Sequence, residues 1–369
     1  PASCDDLLFS CLSEADLASF SRTCLQVYLS VQSYRARAFQ LWRSLSRFMP
    51  QCDVDGFREM LHETGALVSG SVALQFFSRE CIPDCDLDLY TEREYAPRVF
   101  SYVCDLGYRF RPRASQMPDA KRSLCRVLDV LEGRDLDAFR QRSVLDVFDF
   151  ERVGHESVVI QVVVAADCSV DAMLGSHSSA LAMNIITFST AYSLFPRMTF
   201  IKRTGITFDA LGSEEAAAKY RRWGWSTHEE LSCQLYQDVG GEVRHAERYI
   251  GDSFTWMVDL DARPSGCPDP VLFHSYTLNL SKEDGVLFDP LMSRIVELGP
   301  PEWPFARVFS GMPLVRDFNK RICRVPVEDD VKQVRSRANL LTVVLVSGGD
   351  SLFTRDPPAK EDASFLQGV

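Results

Sequence analysis

The run Val68-Ser69-Gly70-Ser71 is followed, after fourteen residues, by Asp86-Leu87-Asp88-Leu89. In an extended strand the side chains at i and i+2 share a face, so Asp86 and Asp88 project together while Leu87 and Leu89 enter a core. Adjacent carboxylates repel unless a cation lies between them. A hard divalent ion such as Mg²⁺, held by carboxylate and phosphate oxygens, is the usual one. Gly70 permits close backbone approach, and Ser71 opens a helix whose free amides favour phosphate. Asp86 and Asp88 are therefore candidate catalytic and metal-binding residues, and Gly70 and Ser71 candidate contacts for a nucleoside triphosphate.

The neighbouring pattern supplies the elements that would hold them. Ala66 to Ser69 is a short apolar run, Val72 to Arg79 is helix-like, and Cys85 to Tyr90 reads as a strand. Ala96 to Leu106 predicts a helix closed by Gly107, and Arg111 to Arg122, basic with two prolines, predicts a loop. Val144 to Glu151 and Ser157 to Ala165 flank Val153-Gly154-His155 and predict a hairpin. Strand, helix, strand, helix and hairpin make an α+β (or α/β) sheet domain. Beyond it, Ser213 to Arg222 and Thr227 to Gln237 read as helices, and Phe254 to Val346 as short β-like runs broken by Pro and Gly. Lys219-Tyr220-Arg221-Arg222-Trp223 and Phe195-Pro196-Arg197 to Lys202-Arg203 join bases to aromatics, which suits a basic helix face with a core anchor better than base stacking. His155 and His177 lack a convincing partner and are expected to be structural.

The 369 residues predict two or three domains, and 46 % hydrophobic with 25 % charged residues exclude wholesale disorder. Forty Lys plus Arg against fifty-one Asp plus Glu give a net charge of -11, which argues against bulk nucleic-acid binding. Twelve cysteines stand singly without a CxxC pair, as expected of free thiols in a reducing compartment. No apolar run is long enough for a membrane span, so an intracellular, cytoplasmic or nuclear protein is expected.

Residues 66 to 90 resemble the nucleotidyltransferase fold of the DNA polymerase beta type, in which a strand, a Gly-Ser turn, a helix and a second strand with an Asp-x-Asp pair build a Mg²⁺-dependent site. The resemblance implies that Gly70 and Ser71 face the triphosphate and that Asp86 and Asp88 ligate metal. It also implies a third carboxylate on a later strand, within Val159-Ile160-Gln161-Val162-Val163, where this chain has Gln161. A neutral amide is a poor metal ligand and no general base, so a two-metal displacement loses a key part. Asp146, Asp149, Glu151 and Asp167 are the nearby substitutes. SGSVALQFF, DCDLDLY, VVIQVVVA and AYSLFPRMTF, within residues 60 to 205, look like a group of fungal proteins with a degenerate domain of this kind.

At the front, residues 5 to 48 have helical periodicity, with Ser13 as a side-chain cap before Glu14 and Asp16. From Leu17 to Cys52 there is no acid, yet Arg22, Arg35, Arg37, Arg43 and Arg47 occur. Such a stripe is either a solvated face or a docking surface for an acidic partner. Leu7, Leu8, Phe9, Leu12, Ala15-Asp16-Leu17, Ser21-Arg22-Thr23-Cys24 and Val31 resemble an F-box. Pro1 falls near the usual opening Leu-Pro pair, so a truncated front is expected. The resemblance implies that Leu7, Leu8, Leu12 and Leu17 dock on the Skp-type adaptor of a cullin ubiquitin ligase.

The expected layout is an F-box-like helical module over 1–48, a nucleotidyltransferase-like domain over 55–210 and a helical segment over 211–250. A β-rich subdomain over 251–346 and a disordered tail over 347–369 complete it. An interaction adaptor for an unknown degradation target, with a non-catalytic sheet domain, accounts for both the front module and Gln161. The alternatives are an active Mg²⁺-dependent nucleotidyltransferase that moves a nucleoside monophosphate to a hydroxyl, and a nucleotide-binding sensor without catalysis.

Overall fold

The computed structural model describes residues 4–132, 143–166, 168–207, 214–228, 232–243, 247–260, 269–277, 280–281, 287–288 and 292–295. The chain begins with helices α1 (Cys4–Ser10), α2 (Glu14–Ser21) and α3 (Leu25–Ala38). Ser13 caps α2 as its position predicts. Its hydroxyl accepts the Asp16 amide at 3.1 Å, and the Asp16 carboxylate accepts the Ser13 amide at 3.3 Å. Phe9, Leu17, Val31 and Tyr34 close a small core among the three helices.

Helices α4 (Leu41–Leu45) and α5 (Val54–Thr64) follow, the latter ended by Gly65 in the left-handed conformation. Phe39, Leu41, Leu45, Phe48 and Met49 belong to the same core as the sheet residues Val68, Leu87, Leu89, Ile160 and Val162. The end of the stretch expected as a separate module thus packs as part of the sheet's own helical layer. Arg79 ties the front helices down. It donates to Tyr34 Oη at 2.8 Å and to the Leu12 carbonyl at 2.7 Å, and shares the buried Glu14 carboxylate with Arg35.

One eight-stranded mixed sheet carries the fold. Its strands are β1 (Leu67–Ser69), β2 (Leu87–Glu92), β3 (Tyr108–Arg111), β4 (Val144–Arg152), β5 (His155–Ala165), β6 (Asn184–Ile186), β7 (Thr190–Ser193) and the strand Trp256–Asp259. From edge to edge the order is Trp256–Asp259, β7, β6, β1, β2, β5, β4, β3. Only the β2/β5 pair is parallel, which gives an α+β architecture. Strand alternation divides the side chains between two layers. Leu87, Leu89, Ile160, Val162 and Phe148 enter the core beneath α5, α6 (Gly70–Ser78) and α7 (Ala96–Asp105). Leu67, Tyr90, Val163 and Ala165 enter the opposite layer, which includes the helix α9 (Ser169–Ser176).

Several expected boundaries shift. The helix after β1 starts at Gly70, two residues before Val72, and β2 starts at Leu87, leaving Asp86 at its mouth. The stretch Arg111 to Arg122 contributes the end of β3 and the start of helix α8 (Ala120–Glu132), with a loop only between them. Residues 226–228 are a strand parallel to Thr204–Ile206, so the helix expected from Thr227 begins only at Cys233. Trp256–Asp259 joins the main sheet, while His274–Thr277 pairs with Glu247–Tyr249 and Met292–Ile295 in a smaller one. Most of the expected β-rich region and all of the expected tail 347–369 lie outside the described residues. No helix among the described residues is long and apolar enough to cross a membrane.

Candidate functional site

The register puts four side-chain positions in a row across adjacent strands. Ser69 on β1 pairs with Asp88 on β2, Asp88 with Gln161 on β5, and Gln161 with Asp149 on β4. Paired residues share a face and neighbouring strands lie about 4.8 Å apart, so the row spans about 14 Å. It lies on the face opposite Leu87 and Leu89. A cleft of about 670 Å³ opens there, lined by Asp88, Tyr90, Arg113, Gln161, Ser176 and His177 among others.

Gly70, directly after Ser69, has φ 70°, and a Cβ on it would overlap the Asp88 carboxylate. The glycine therefore serves both the left-handed turn and the close approach. Ser71 is nearly buried and accepts a hydrogen bond from Lys219 Nζ at 3.2 Å. Lys219 lies on α10 (Glu214–Arg222), its ammonium 4.9 Å from the centre of the Trp223 ring.

The predicted carboxylate pair is electrostatically coupled. Burial and the charge of Asp86 push the Asp88 carboxyl up to about 7, and Lys219 only partly opposes them. Asp86 is raised as well, by burial, with Lys219 and Arg47 acting against the shift. The pair thus lies at the start of β2, Asp88 against Gly70, with Lys219, bonded to Ser71, as a compensating cation.

The third position departs from a metal centre. Gln161 Nε2 donates to Asp149 Oδ1 at 3.1 Å. Asp149 is buried and already held by Arg113, whose Nε and Nη2 donate to its two oxygens at 2.8 and 2.9 Å. Of the other nearby carboxylates, Asp146 accepts from Gln116 at 2.9 Å and Glu151 pairs with Arg111, while Asp167 lies outside the described residues. Among the described residues no group of three or more His, Cys, Asp or Glu side chains is gathered in a way that could hold a metal ion. Mg²⁺ demands a near-octahedral oxygen shell. Two carboxylates, an amide turned to Asp149 and a lysine beside Ser71 do not fit the two-metal centre that the nucleotidyltransferase resemblance implies.

A set of polar contacts at and beneath the cleft escaped the sequence. Ser69 Oγ lies 2.6 Å from the Asn184 carbonyl and 3.0 Å from His177 Nε2, and Tyr90 Oη lies 3.0 Å from Ser176 Oγ. The single hydroxyl proton of Ser69 goes to the carbonyl, so His177 Nε2 is the donor to the serine oxygen. That direction is the reverse of nucleophile activation. Burial holds the imidazole at about 4, so it is neutral near pH 7. His177 thus keeps a structural role, and His155 is exposed at the start of β5. These neighbours depend on chain pairings 86 to 115 residues apart, and no local signal announces them.

Comparison with family models, with curated proteins and with solved structures returns no match. Function must therefore be read from the molecule's own surfaces. Tyr220, expected to anchor or to stack, is buried, and Arg203 lies over the ring of the buried Trp225 at 3.9 Å, so these bases and aromatics pack on one another. Of the four front leucines, Leu7 and Leu8 are exposed by 69 % and 54 %, Leu12 is half-buried against the small core, and Leu17 is fully buried within it. Leu17 therefore holds the helices together and presents nothing to a partner.

Proposed function

We propose that this protein is an F-box-type interaction adaptor whose front helices dock on a Skp-type subunit of a cullin ubiquitin ligase, with a sheet domain that does not catalyse nucleotidyl transfer. The observation that carries this is where the apolar surface lies. Six of the nine large apolar side chains exposed among the described residues, Leu7, Leu8, Phe20, Leu25, Tyr28 and Leu29, fall on the first three helices. Isolated apolar residues are ordinary on a surface, but such a concentration on short helices suits helix-in-groove recognition. Leu25, Tyr28 and Leu29 share the first turn of α3 at i, i+3 and i+4.

The test uses the full chain, because removal of residues 1–48 would take Phe39, Leu41, Leu45 and Phe48 out of the main core. Purified Skp-type adaptor is expected to co-purify with the wild type and with Val153→Asp, an exposed apolar site elsewhere. It is expected to be lost with the combined Leu8→Asp and Leu25→Asp change. Capture that survives that change would overturn the proposal.

A second reading, a nucleotide-binding site without catalysis, is favoured by Lys219 at Ser71 on the first turn of α6. Calorimetry with ATP, GTP, CTP and UTP, with and without Mg²⁺, tests it. Heat from none of the four removes it.

A further inference from the structure

Between the first helices and the sheet domain lies a groove of about 900 Å³. Phe76 and Ile82, both buried, and the half-buried Trp42 supply apolar lining, while Arg37, Arg43 and Arg47 line it with charge. These arginines come from the acid-free stretch between Leu17 and Cys52. They differ in what they hold. Arg37 is paired with Asp6 and also donates to Ser33. Arg47 donates one bond to the Ser157 carbonyl and stands 3.9 Å from Asp84, whose carboxylate is almost fully in water. Arg43 is exposed, its guanidinium 5.5 Å from the centre of the Trp42 ring, and its side chain makes no hydrogen bond or ion pair among the described residues. Stacking on an indole orients a guanidinium without using its five N–H donors.

We infer that this groove binds a short acidic peptide segment of a partner protein. One apolar side chain of the segment seats against Trp42, Phe76 and Ile82, and its carboxylates meet Arg43 and Arg47 as charge-assisted pairs. A nucleic-acid strand is the poorer match. Asp6 and Glu80 line the same groove, and the net charge of -11 provides no extended positive field for a phosphate backbone. Leu7 of the front helices lines this groove, but Leu8 and Leu25, the positions that test adaptor docking, do not; the adaptor role bears only on whose peptide it is, namely that of a client.

Fluorescence anisotropy on the full chain tests the inference with labelled decapeptides of Asp and Glu bearing one central Leu or Phe. The same peptides with Lys in place of the acids serve as controls. The acidic peptides are expected to bind, and Arg43→Ala and Arg47→Ala each to weaken binding by about fivefold or more. Arg22→Ala, at an exposed arginine outside the groove, is expected to leave binding unchanged. A bromoacetyl group beside the apolar residue is expected to alkylate Cys81, exposed in the groove, ahead of Cys24, exposed outside it. Absence of binding, equal binding of the Lys peptides, or an equal loss with Arg22→Ala would overturn the inference. So would preferential labelling of Cys24, or displacement of the peptide by a single-stranded oligonucleotide at lower concentration than by unlabelled peptide. Since no ligase subunit is present, a failure here and a failure of adaptor capture are distinct results.

Discussion

Replacing Asp88 by Asn is the sharpest probe of the sheet domain. The Asp88 carboxyl moves from an ordinary value of 3.8 to about 7 because burial and Asp86 disfavour its charge. A carboxyl raised on folding binds its proton more tightly in the native state. Stability is therefore greatest below the unfolded pKa and falls as pH rises through the folded one. Three pH units at 1.36 kcal/mol each set an upper limit of about 4 kcal/mol lost above pH 7, of which about 2 kcal/mol is already lost at about pH 5. The asparagine amide is isosteric with the carboxyl and cannot ionise. Urea denaturation of the wild type and Asp88→Asn should thus show the variant more stable, with the gain growing by about 2 kcal/mol between about pH 5 and pH 8. A gain that does not change with pH would refute the reasoning. So would millimolar Mg²⁺ raising wild-type stability at pH 8 while leaving Asp88→Asn unmoved, since that would show a working metal site.

Further outcomes follow from neighbouring contacts. Gly70→Ala is expected to destabilise by about 2 kcal/mol or more, part from φ and part from overlap with Asp88, and Asp88→Ala in the same chain should recover the overlap part only; equal losses in the single and double variants by urea melts would deny the contact. Arg79→Ala should cost about 3 kcal/mol, because it frees the Leu12 carbonyl and Tyr34 and removes one of the two partners of buried Glu14. Limited proteolysis should then cut within the first three helices before the sheet. His177, held at about 4, should show no imidazole titration by NMR between about pH 5.5 and 8. Its contribution to stability is present above the unfolded value of about 6.5 and is lost as pH falls toward 4, the opposite slope to that of Asp88.

Local patterns were legible where they are decided locally. The hairpin over residues 144–165, with Gly154 at its turn, the stop at Gly107 and the cap at Ser13 follow from residues within a few positions of each other. The alternation Leu87-Asp88-Leu89-Tyr90 correctly assigns faces, since period two depends on no partner strand. Register does depend on one. That Gln161 turns to Asp149, and Asp149 to Arg113, follows from the pairing of β5 with β4 and from a loop after β3 folding back, neither of which is written into any short segment. The strand at residues 226–228, read as helix, and the place of Trp256–Asp259 at the edge of the main sheet, read only as one of the β-like runs, escaped for the same reason: so short a segment takes its place from a distant neighbour. Leu17 shows the converse limit. Helical spacing marks an apolar face but cannot tell whether that face turns to the helices beside it or to another molecule.

The core shared between Phe39 to Met49 and the sheet has a mechanical consequence. Helix α3 runs from the exposed leucines at its first turn to Phe39, which is clamped between Phe76 and Trp256 in edge and tilted ring contacts. With Arg79 bonded to Tyr34 and to the Leu12 carbonyl, the front helices are joined to the sheet domain at a second place. They behave as a bracket and not as a tethered bead. A subunit bolted to the leucine end would hold whatever the groove grips at one fixed bearing and reach, so each residue inserted into α3 would swing that bearing by about 100°.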